Sequence, residues 1–271
     1  MSRITGVSRL LVILGDPVAH SVSPAMQNAA ARALGLDAVY LPLQVDGAAL
    51  APVIRGLEAA GVAGNVTLPH KVAASHLLIR LTGIAKAIGA VNTFWSENGR
   101  LVGDNTDVPG LVDALAELGA GDVWIVAGTG GSARAVVGAA RQRSALLLVR
   151  SRDPARGAAF ASWAREAGVE ALVDDGRAAD VAINATPRGL KASDSSPIPA
   201  DRLRNVPAAL DLVYAPGETA WVNQCRRSGL RATDGRAVLV AQGAHAFERF
   251  FPDQRAPRQI MAAAVIEALR R

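Results

Sequence analysis

The chain is short of cysteine and lysine, and it has few aromatic residues and no long apolar run. Its 271 residues contain a single cysteine, Cys225, which excludes an internal disulfide framework. The sequence has no cysteine and histidine spacing of the zinc-binding kind, and we expect no metal. One thiol fits a reducing compartment, so we expect a cytoplasmic protein.

No stretch of the sequence approaches the roughly 20 consecutive apolar residues that span a bilayer. The apolar run at residues 10–14 is too short for the core of a signal peptide, and no small-residue cleavage site follows it. This run therefore predicts a strand, and we expect no membrane partner.

The formal net charge is +5 and the isoelectric point is near 10.1, values that also occur in nucleic-acid-binding proteins. Here 24 acidic residues are mixed among the basic ones, no basic run reaches five residues, and aromatic residues make up 4%. We therefore expect no nucleic-acid partner, and salt-sensitive retention of DNA would reveal the alternative. The three lysines are Lys71, Lys86 and Lys191. A lysine retained in an arginine-rich chain suggests a use for its titratable ammonium.

One segment specifies a complete ligand-binding mechanism. Two apolar runs, residues 123–127 and 145–149, indicate buried parallel strands, and an alanine-rich helix is predicted between them. The first run leads into Gly128-Thr129-Gly130-Gly131-Ser132-Ala133, which fits the pattern G-x-G-x-x-A. The first glycine of this pattern permits a tight turn, the second admits a pyrophosphate to the backbone, and the alanine allows helix and strand to pack closely. An ordinary glycine turn between a strand and a helix is the alternative interpretation. The strand, turn, helix and strand in this order favour a dinucleotide site at the helix N-terminus.

The residues after the second of these strands indicate which dinucleotide binds. An acidic residue at this point usually binds the ribose of NAD, whereas this chain has Arg150-Ser151-Arg152-Asp153 and then Arg156. Guanidinium groups suit a 2′-phosphate, so this basic loop favours NADP. Asp153 would favour the unphosphorylated ribose, and NAD stays possible.

The first part of the chain is predicted to be a second α/β unit. Residues 10–15, 38–43 and 63–68 have the pattern of strands, and helical segments separate them. Ligands bind at the carboxyl ends of strands in such sheets. Asn65, Thr67 and Lys71 collect at the carboxyl end of the third strand and are therefore candidate site residues.

Three more residues near these strand ends have competing interpretations. Ser23 is predicted to cap a helix that has Pro24 at its first position. Ser21 is either a turn residue or a ligand of a polar group. His70 stands beside a helix start, where histidine is more often structural than catalytic.

The dipeptide Asn98-Gly99 between two β-like runs predicts a hairpin. The ends of this hairpin bring Asn92 close to the polar cluster Gly103-Asp104-Asn105-Thr106-Asp107. Asp107 is alternatively the cap of the helix that follows, and Asn92 is alternatively part of an edge turn.

The rest of the chain alternates in the same way. Strands are predicted within residues 181–187 and 208–214, a surface loop over 191–199, and helices from residue 237 and over 259–270.

Eight motifs along the chain resemble, in sequence and in order, those of the shikimate dehydrogenase family. They are GDPVAHSVSP (15–24), GNVTLPHK (64–71), GAVNT (89–93), GDNTD (103–107), AGTGGSARA (127–135), NATP (184–187), DLVYAPGET (211–219) and LVAQGAHAF (239–247).

This resemblance implies an α/β fold with a split architecture. Residues 1–106 would form a substrate-binding domain, residues 107–236 a Rossmann-like, doubly wound domain that binds NADP, and the helices of residues 237–271 would pack on the substrate domain. The implied activity is the reversible NADP-linked reduction of 3-dehydroshikimate to shikimate, a step of aromatic amino-acid biosynthesis. We expect a monomer or a homodimer.

The resemblance also assigns roles to the residues that match its motifs. Lys71 and Asp107 would be the catalytic pair. The substrate would contact this pair together with Ser21, Ser23, Thr67, Asn92, Tyr214 and Gln242. The cofactor would contact Gly128, Gly130, Gly131, Ser132, Ala133, Ser151, Arg152, Arg156, Thr186, Leu212 and Gly235.

Some segments depart from the family's usual residues, namely Val108-Pro109, Arg236-Ala237-Val238, Phe250-Phe251-Pro252 and Ser151, where asparagine is usual. Paralogues that resemble the family and act on quinate or aminoshikimate share most of its motifs, so these substrates are alternatives. A catalytically silent nucleotide-binding regulator on the same fold is a further alternative. The retention of Lys71 and Asp107 argues against it.

Overall fold

A computed structural model describes residues 4–189 and 194–270 of the chain. Lys191 and the start of the predicted surface loop lie outside these residues. The chain forms two compact units: unit 1 contains Met1–Asp107 and Val240–Arg271, and unit 2 contains Val108–Leu239.

Unit 1 is built on a six-stranded mixed sheet. Its elements are β1 (Arg9–Gly15), α1 (Ser23–Ala33), β2 (Ala38–Gln44), α2 (Leu50–Ala59), β3 (Ala63–Val66), α3 (Lys71–Leu77), β4 (Arg80–Leu81), α4 (Gly83–Ile88), β5 (Thr93–Glu97) and β6 (Arg100–Asp104). The strand order is β2-β1-β3-β5-β6-β4. β1 pairs in parallel with β2 and β3, whereas β5 is antiparallel to both β3 and β6.

The two faces of this sheet have separate apolar cores, and β1 contributes to both. Val12 and Leu14 belong to one buried cluster, whereas Leu11 and Ile13 belong to another. Because alternate side chains of a strand point to opposite faces, a strand covered on both sides has a continuous apolar sequence. This arrangement explains the run at residues 10–14 and confirms the strand predicted there.

The hairpin predicted from Asn98-Gly99 is confirmed. Both residues have a positive φ, 52° and 73°, as the two central positions of a tight type I′ turn require. The turn joins β5 to β6 and sets the register in which Thr93 pairs with Asp104.

The predicted cap at Ser23 is wrong. Ser23 is the first residue of α1, Val22 occupies the cap position, and no side chain caps this helix. The hydroxyl oxygen of Ser21 accepts a hydrogen bond from the backbone N–H of Ser23 at 3.3 Å, so the neighbouring serine satisfies that donor instead.

Unit 2 is built on a six-stranded parallel sheet. Its elements are β7 (Val123–Ala127), α6 (Gly131–Arg143), β8 (Leu146–Arg150), α7 (Pro154–Glu166), β9 (Ala171–Val173), β10 (Val181–Asn184), β11 (Ala208–Asp211), α8 (Ala220–Arg227) and β12 (Arg231–Thr233). The strand order is β12-β11-β10-β7-β8-β9. The chain therefore leaves β7 first towards one edge and later returns to build the other, as in a doubly wound Rossmann-like sheet, which confirms the predicted fold class.

Three further helices complete the chain. They are α5 (Asp107–Glu117), α9 (Gly235–Phe250) and α10 (Arg258–Ala268), of which α10 packs against α1 in unit 1. Within the described ranges, no helix has the length and apolar character to cross a bilayer.

Candidate active site

The sheet of unit 1 gathers the polar motifs at one edge. Since β5 runs antiparallel to β3, the amino end of β5 lies beside the carboxyl end of β3, and Asn65 pairs with Thr93 there. Thr93 pairs in turn with Asp104 at the end of β6. Ser21 and Ser23 follow β1, Thr67 and Lys71 follow β3, Asn92 precedes β5 and Asp107 follows β6. The topology therefore places these residues at the same edge of the sheet.

Lys71 and Asp107 form an ion pair at this edge. The ammonium nitrogen lies 2.6 Å from Oδ2 of Asp107, and the two side chains are 14% and 15% exposed. Lys71 is the first residue of α3, where the partial positive charge of the helix end disfavours a cation. Asp107 is the first residue of α5, where an anion is favoured. The carboxylate therefore stabilises an ammonium that its own helix disfavours.

Asn92 and Gln242 extend this pair into a cluster of four side chains. The amide nitrogen of Asn92 donates to Oδ1 of Asp107 at 2.8 Å and to Oε1 of Gln242 at 3.4 Å. Gln242 comes from α9, 150 residues later in the chain than Asn92. The cluster contains one cation, one anion and two amides, a set that suits a neutral or anionic ligand rich in hydroxyl groups.

Ser21 and Thr67 lie on loops that hydrogen bonds hold together, and Ser23 begins α1. The N–H of Thr67 donates to the carbonyl of Leu14 at 2.8 Å, and the N–H of Asp16 donates to the carbonyl of Leu68 at 3.0 Å. A Cβ atom at Gly15 would lie 2.5 Å from Cγ2 of Thr67, so this close approach requires glycine. Ser21 and Thr67 are half-buried, and Ser23 is buried.

His70 has a structural partner. Its ring Nε2 lies 2.6 Å from the backbone carbonyl oxygen of Val45, and the side chain is buried. This bond fits the structural interpretation of the residue over the catalytic one.

The glycine turn of unit 2 leads into the N-terminus of α6, which no side chain caps. Gly128 has φ +118°, and a Cβ atom there would lie 2.8 Å from the carbonyl oxygen of Ala185. Gly130 precedes α6 without a side-chain cap, and the first turn of that helix has no acidic residue. A Cβ atom at Gly130 would have no neighbour within 4 Å. The first N–H groups of α6, at Gly131, Ser132 and Ala133, have no partner within the helix and lie beside this open approach, as an anion site requires.

The basic segment after β8 is not all loop, because α7 begins at Pro154. Asp153 caps this helix, and its Oδ1 accepts from the N–H groups of Ala155 at 2.9 Å and Arg156 at 3.2 Å. Arg152 and Arg156 are exposed, and neither has an ion-pair partner within residues 4–189 and 194–270. Two free cations therefore stand at a helix N-terminus, which fits a phosphate group.

Arg150 differs from these two arginines. Its Nη1 lies 2.9 Å from Oδ2 of the buried Asp174, which also pairs with Arg202 at 2.9 Å. These arginines hold the pKa of Asp174 below its usual range, although burial acts against them. Arg150 is thus held inside unit 2.

A buried polar network supports the other strand ends of unit 2. Asn184 accepts from the hydroxyl of Thr186 at 2.6 Å and donates to Oδ1 of Asp211 at 2.8 Å. Asp211 also accepts from the N–H of Val213 at 3.0 Å and from the hydroxyl of Thr219 at 2.7 Å. Burial raises the pKa of Asp211 to about 6. The sequence analysis missed this network, although single polar residues at the ends of apolar strands were its signal.

The remaining cofactor candidates follow β10, β11 and β12 at the same edge of this sheet. They are Thr186, Leu212 and Gly235. A Cβ atom at Gly235 would lie 2.4 Å from the carbonyl oxygen of Leu212, so the two loops touch through backbone. Tyr214, the substrate candidate of unit 2, follows β11, and burial raises the pKa of its hydroxyl. No group of three or more histidine, cysteine or acidic side chains within the described residues could hold a metal ion.

Comparison with known proteins agrees with both units. Residues 13–94 match the family model of the shikimate dehydrogenase substrate binding domain. The shikimate dehydrogenase (NADP(+)) of Geobacter metallireducens is 39% identical over 285 residues, which cover 99% of each chain. The enzyme of the same name from Rubrobacter xylanophilus is 41% identical over 258 residues, or 90% of this chain and 91% of its own.

Solved structures extend the comparison to the fold. A shikimate dehydrogenase in complex with NADP⁺ is similar with a TM-score of 0.91 at 31% identity, covering 99% of this chain and 98% of its own. The shikimate 5-dehydrogenase of Thermus thermophilus in complex with NADP(H) and shikimate has a TM-score of 0.87 at 35% identity, covering 96% of this chain and 100% of its own. With this identity over its full length, the chain belongs to the shikimate dehydrogenase family.

Proposed function

We propose that this protein catalyses the reversible, NADP-linked reduction of 3-dehydroshikimate to shikimate, with Lys71 and Asp107 as its catalytic pair. The observation that carries the proposal is the 2.6 Å ion pair between these residues, joined by Asn92 and Gln242 at one edge of a sheet. Its relatives are named NADP-dependent shikimate dehydrogenases and align over nearly the whole chain.

The chemistry requires a proton donor beside the carbonyl group. A reduced dinucleotide held by unit 2 would supply the hydride for the carbonyl carbon, and negative charge would develop on the carbonyl oxygen. The Lys71 ammonium would stabilise this charge and donate a proton to the oxygen. Asp107 holds the ammonium in place through Oδ2, and in the reverse direction Lys71 would accept the hydroxyl proton.

The remaining polar residues would orient the ring. In this proposal the hydroxyl and carboxylate groups of the substrate contact Ser21, Ser23, Thr67, Asn92, Gln242 and Tyr214. Amides and hydroxyls both donate and accept hydrogen bonds, so such a set can recognise neighbouring hydroxyl groups. Residues 1–106 together with residues 237–271 would form the substrate domain.

Residues 107–236 would bind NADP. The bare N-terminus of α6, formed by Gly128, Gly130, Gly131, Ser132 and Ala133, would hold the pyrophosphate. Ser151, Arg152 and Arg156 would hold the 2′-phosphate, and Thr186, Leu212 and Gly235 would lie along the nicotinamide half. The free guanidinium groups of Arg152 and Arg156 favour NADP, although the Asp153 carboxylate beside them leaves NAD as a weaker cofactor.

The test is an absorbance assay of reduced nicotinamide with shikimate and quinate, each with NADP and with NAD. We expect the highest kcat/KM for shikimate with NADP. A preference for quinate would reassign the substrate, and aminoshikimate would be assayed next. NADP binding without turnover of any of these acids would instead support a silent regulator. We further propose that the protein is cytoplasmic and is a monomer or a homodimer. Light scattering would measure its molar mass and so distinguish these two states.

A further inference from the structure

A buried series of hydrogen bonds in unit 1 leads to the carboxylate of Asp107. The hydroxyl of Tyr40 donates to Oδ1 of Asn65 at 2.7 Å, and Nδ2 of Asn65 donates to the hydroxyl oxygen of Thr93 at 2.9 Å. Thr93 donates to Oδ1 of Asn92 at 2.8 Å, and Nδ2 of Asn92 donates to Oδ1 of Asp107 at 2.8 Å. The first four side chains are at most 7% exposed, so water does not compete for these bonds.

The partners of Asn65 fix the direction of the first two bonds. Nδ2 of Asn65 also donates to the backbone carbonyl of Asn92 at 3.0 Å, so both of its hydrogens are engaged and its oxygen faces Tyr40. Burial raises the pKa of Tyr40 well above its usual value, which keeps the hydroxyl protonated as a donor. The first two bonds therefore run in one direction, from Tyr40 through Asn65 to the hydroxyl oxygen of Thr93.

The side-chain oxygen of Asn92 accepts hydrogen bonds from two residues. Besides Thr93, the backbone N–H of Thr106 donates to Oδ1 of Asn92 at 2.7 Å, and the Thr106 hydroxyl donates to it at 3.1 Å. The hydroxyl oxygens of Thr93 and Thr106 lie 2.8 Å apart. With its oxygen held by these donors, the amide can present only its nitrogen to Asp107. Oδ1 of Asp107 is thereby occupied, and Oδ2 is left for the ammonium of Lys71.

We propose that Thr93, supported by Asn65 and Tyr40, is a positioning residue that holds Asn92 in the orientation which directs Asp107 and thereby the Lys71 ammonium. This inference rests on the proposed function, because it concerns the same catalytic pair. None of the three residues needs to touch the substrate. Their effect on the proton donor passes through Asn92.

Thr93→Val keeps the shape of the side chain and removes the hydroxyl. We expect kcat to fall about tenfold while the KM for NADP changes less than twofold. Thr93→Ser keeps the hydroxyl and loses a buried methyl, so we expect it to lower Tm but to keep kcat within about twofold of wild type. A purely structural role predicts the opposite, with activity following Tm.

Ser75→Ala is the matched control, because this buried hydroxyl of unit 1 donates to the carbonyl of Val72, outside the series. We expect it to leave kcat unchanged. In an Asn92→Ala background, Thr93→Val should lower kcat less than twofold further, since its effect passes through Asn92. A wild-type kcat in Thr93→Val, or a full tenfold loss in both backgrounds, overturns the inference.

A second measurement does not depend on turnover. We expect the side-chain amide protons of Asn92, followed by NMR, to exchange with solvent at least fivefold faster in Thr93→Val than in wild type or Thr93→Ser. Equal exchange rates in all three proteins overturn the positioning role. An inactive wild type with this exchange pattern instead refutes the proposed function and leaves the positioning of Asn92 established.

Discussion

Lys71 is the first residue of α3, where the helix dipole disfavours a cation, and its contacts hold it in this position. Its ammonium lies 2.6 Å from Asp107, and the backbone carbonyl of Lys71 accepts a hydrogen bond from the N–H of Val91 at 2.8 Å. Both ends of the residue are thus fixed next to the polar cluster. Such placement suits a proton donor, whose efficiency depends on the geometry of transfer.

Replacing Lys71 by methionine should remove turnover with little loss of binding. Methionine keeps most of the aliphatic stem but cannot donate a proton, so we expect kcat to fall at least about 100-fold. The dissociation constant of shikimate should stay within about tenfold of wild type. Lys86→Met is the control, since Lys86 is exposed on α4 of the same unit. Steady-state rates and calorimetry measure both quantities, and an unchanged kcat in Lys71→Met would refute the assignment.

At the residue scale, the sequence motifs predicted which polar side chains would lie together but not what holds them in place. Lys71, Asn92, Asp107 and Gln242 were all chosen from motifs, and the structure brings these four together. The supporting role of Thr93 was not visible, because the polarity of a hydrogen bond depends on which neighbours surround both partners. Those neighbours come from strands far apart in sequence.

At the scale of elements, long periodic or apolar segments were predictable and short ones were not. The strands β1, β7 and β8 and the hairpin followed from apolar runs and one Asn-Gly pair. The first residues of helix α7 were predicted to be a loop, although Asp153 followed by Pro154 is a typical start of a helix. A capping carboxylate and two exposed arginines therefore share this helix end.

Arg152→Ala should separate the two cofactors. Its guanidinium is exposed and unpaired within the described residues, so it is available to a 2′-phosphate. We expect the KM for NADP to rise by one to two orders of magnitude, since a charge-assisted hydrogen bond contributes roughly 1.5–3 kcal/mol. The KM for NAD should hardly change. Arg204→Ala is the control, because this exposed arginine precedes β11 at the opposite ends of the strands. Equal weakening of both cofactors would place Arg152 elsewhere in the site.

Asp153→Ser tests the carboxylate between the two arginines. Serine also caps helices, so α7 should keep its start while the negative charge beside the phosphate site is lost. An exposed charge contributes little, and we expect the ratio of kcat/KM for NADP to that for NAD to rise about two- to fivefold. The same assay with both cofactors measures the ratio. A fall in the ratio would show that Asp153 contacts NADP favourably.

At the scale of the whole molecule, the sequence predicted both sheets but not their complete strand orders. Parallel pairing follows from alternating strands and helices, and the Rossmann-like order of unit 2 followed from the resemblance. The short strands β4, β9 and β12 each have two or three residues and no pattern of their own. Such short strands are identified only by their hydrogen bonds to a neighbouring strand of the sheet.

The buried carboxylate of Asp211 should make the stability of the chain depend on pH in an unusual direction. Burial raises its pKa from 3.8 to about 6, and the charge of Asp234 adds to this shift. The folded chain therefore binds this proton more tightly than the unfolded chain does. The resulting stabilisation is complete below pH 3.8 and is lost as the pH rises through about 6. Asp174 acts in the opposite direction, because its pKa is lowered.

Comparison of wild type with Asp211→Asn isolates this carboxylate, because every other titrating group is common to both proteins. The free energy of unfolding of the variant minus that of wild type should increase between pH 4.5 and 7.5, by on the order of 2 kcal/mol. Urea unfolding followed by tryptophan fluorescence measures it, since Trp124, Trp163 and Trp221 all belong to unit 2. Asp175→Asn is the control, because this exposed carboxylate has a lowered pKa and should not reproduce the increase. A difference that stays constant over this range would mean that Asp211 remains ionised when folded, with its hydrogen bonds to Asn184, Val213 and Thr219 outweighing burial.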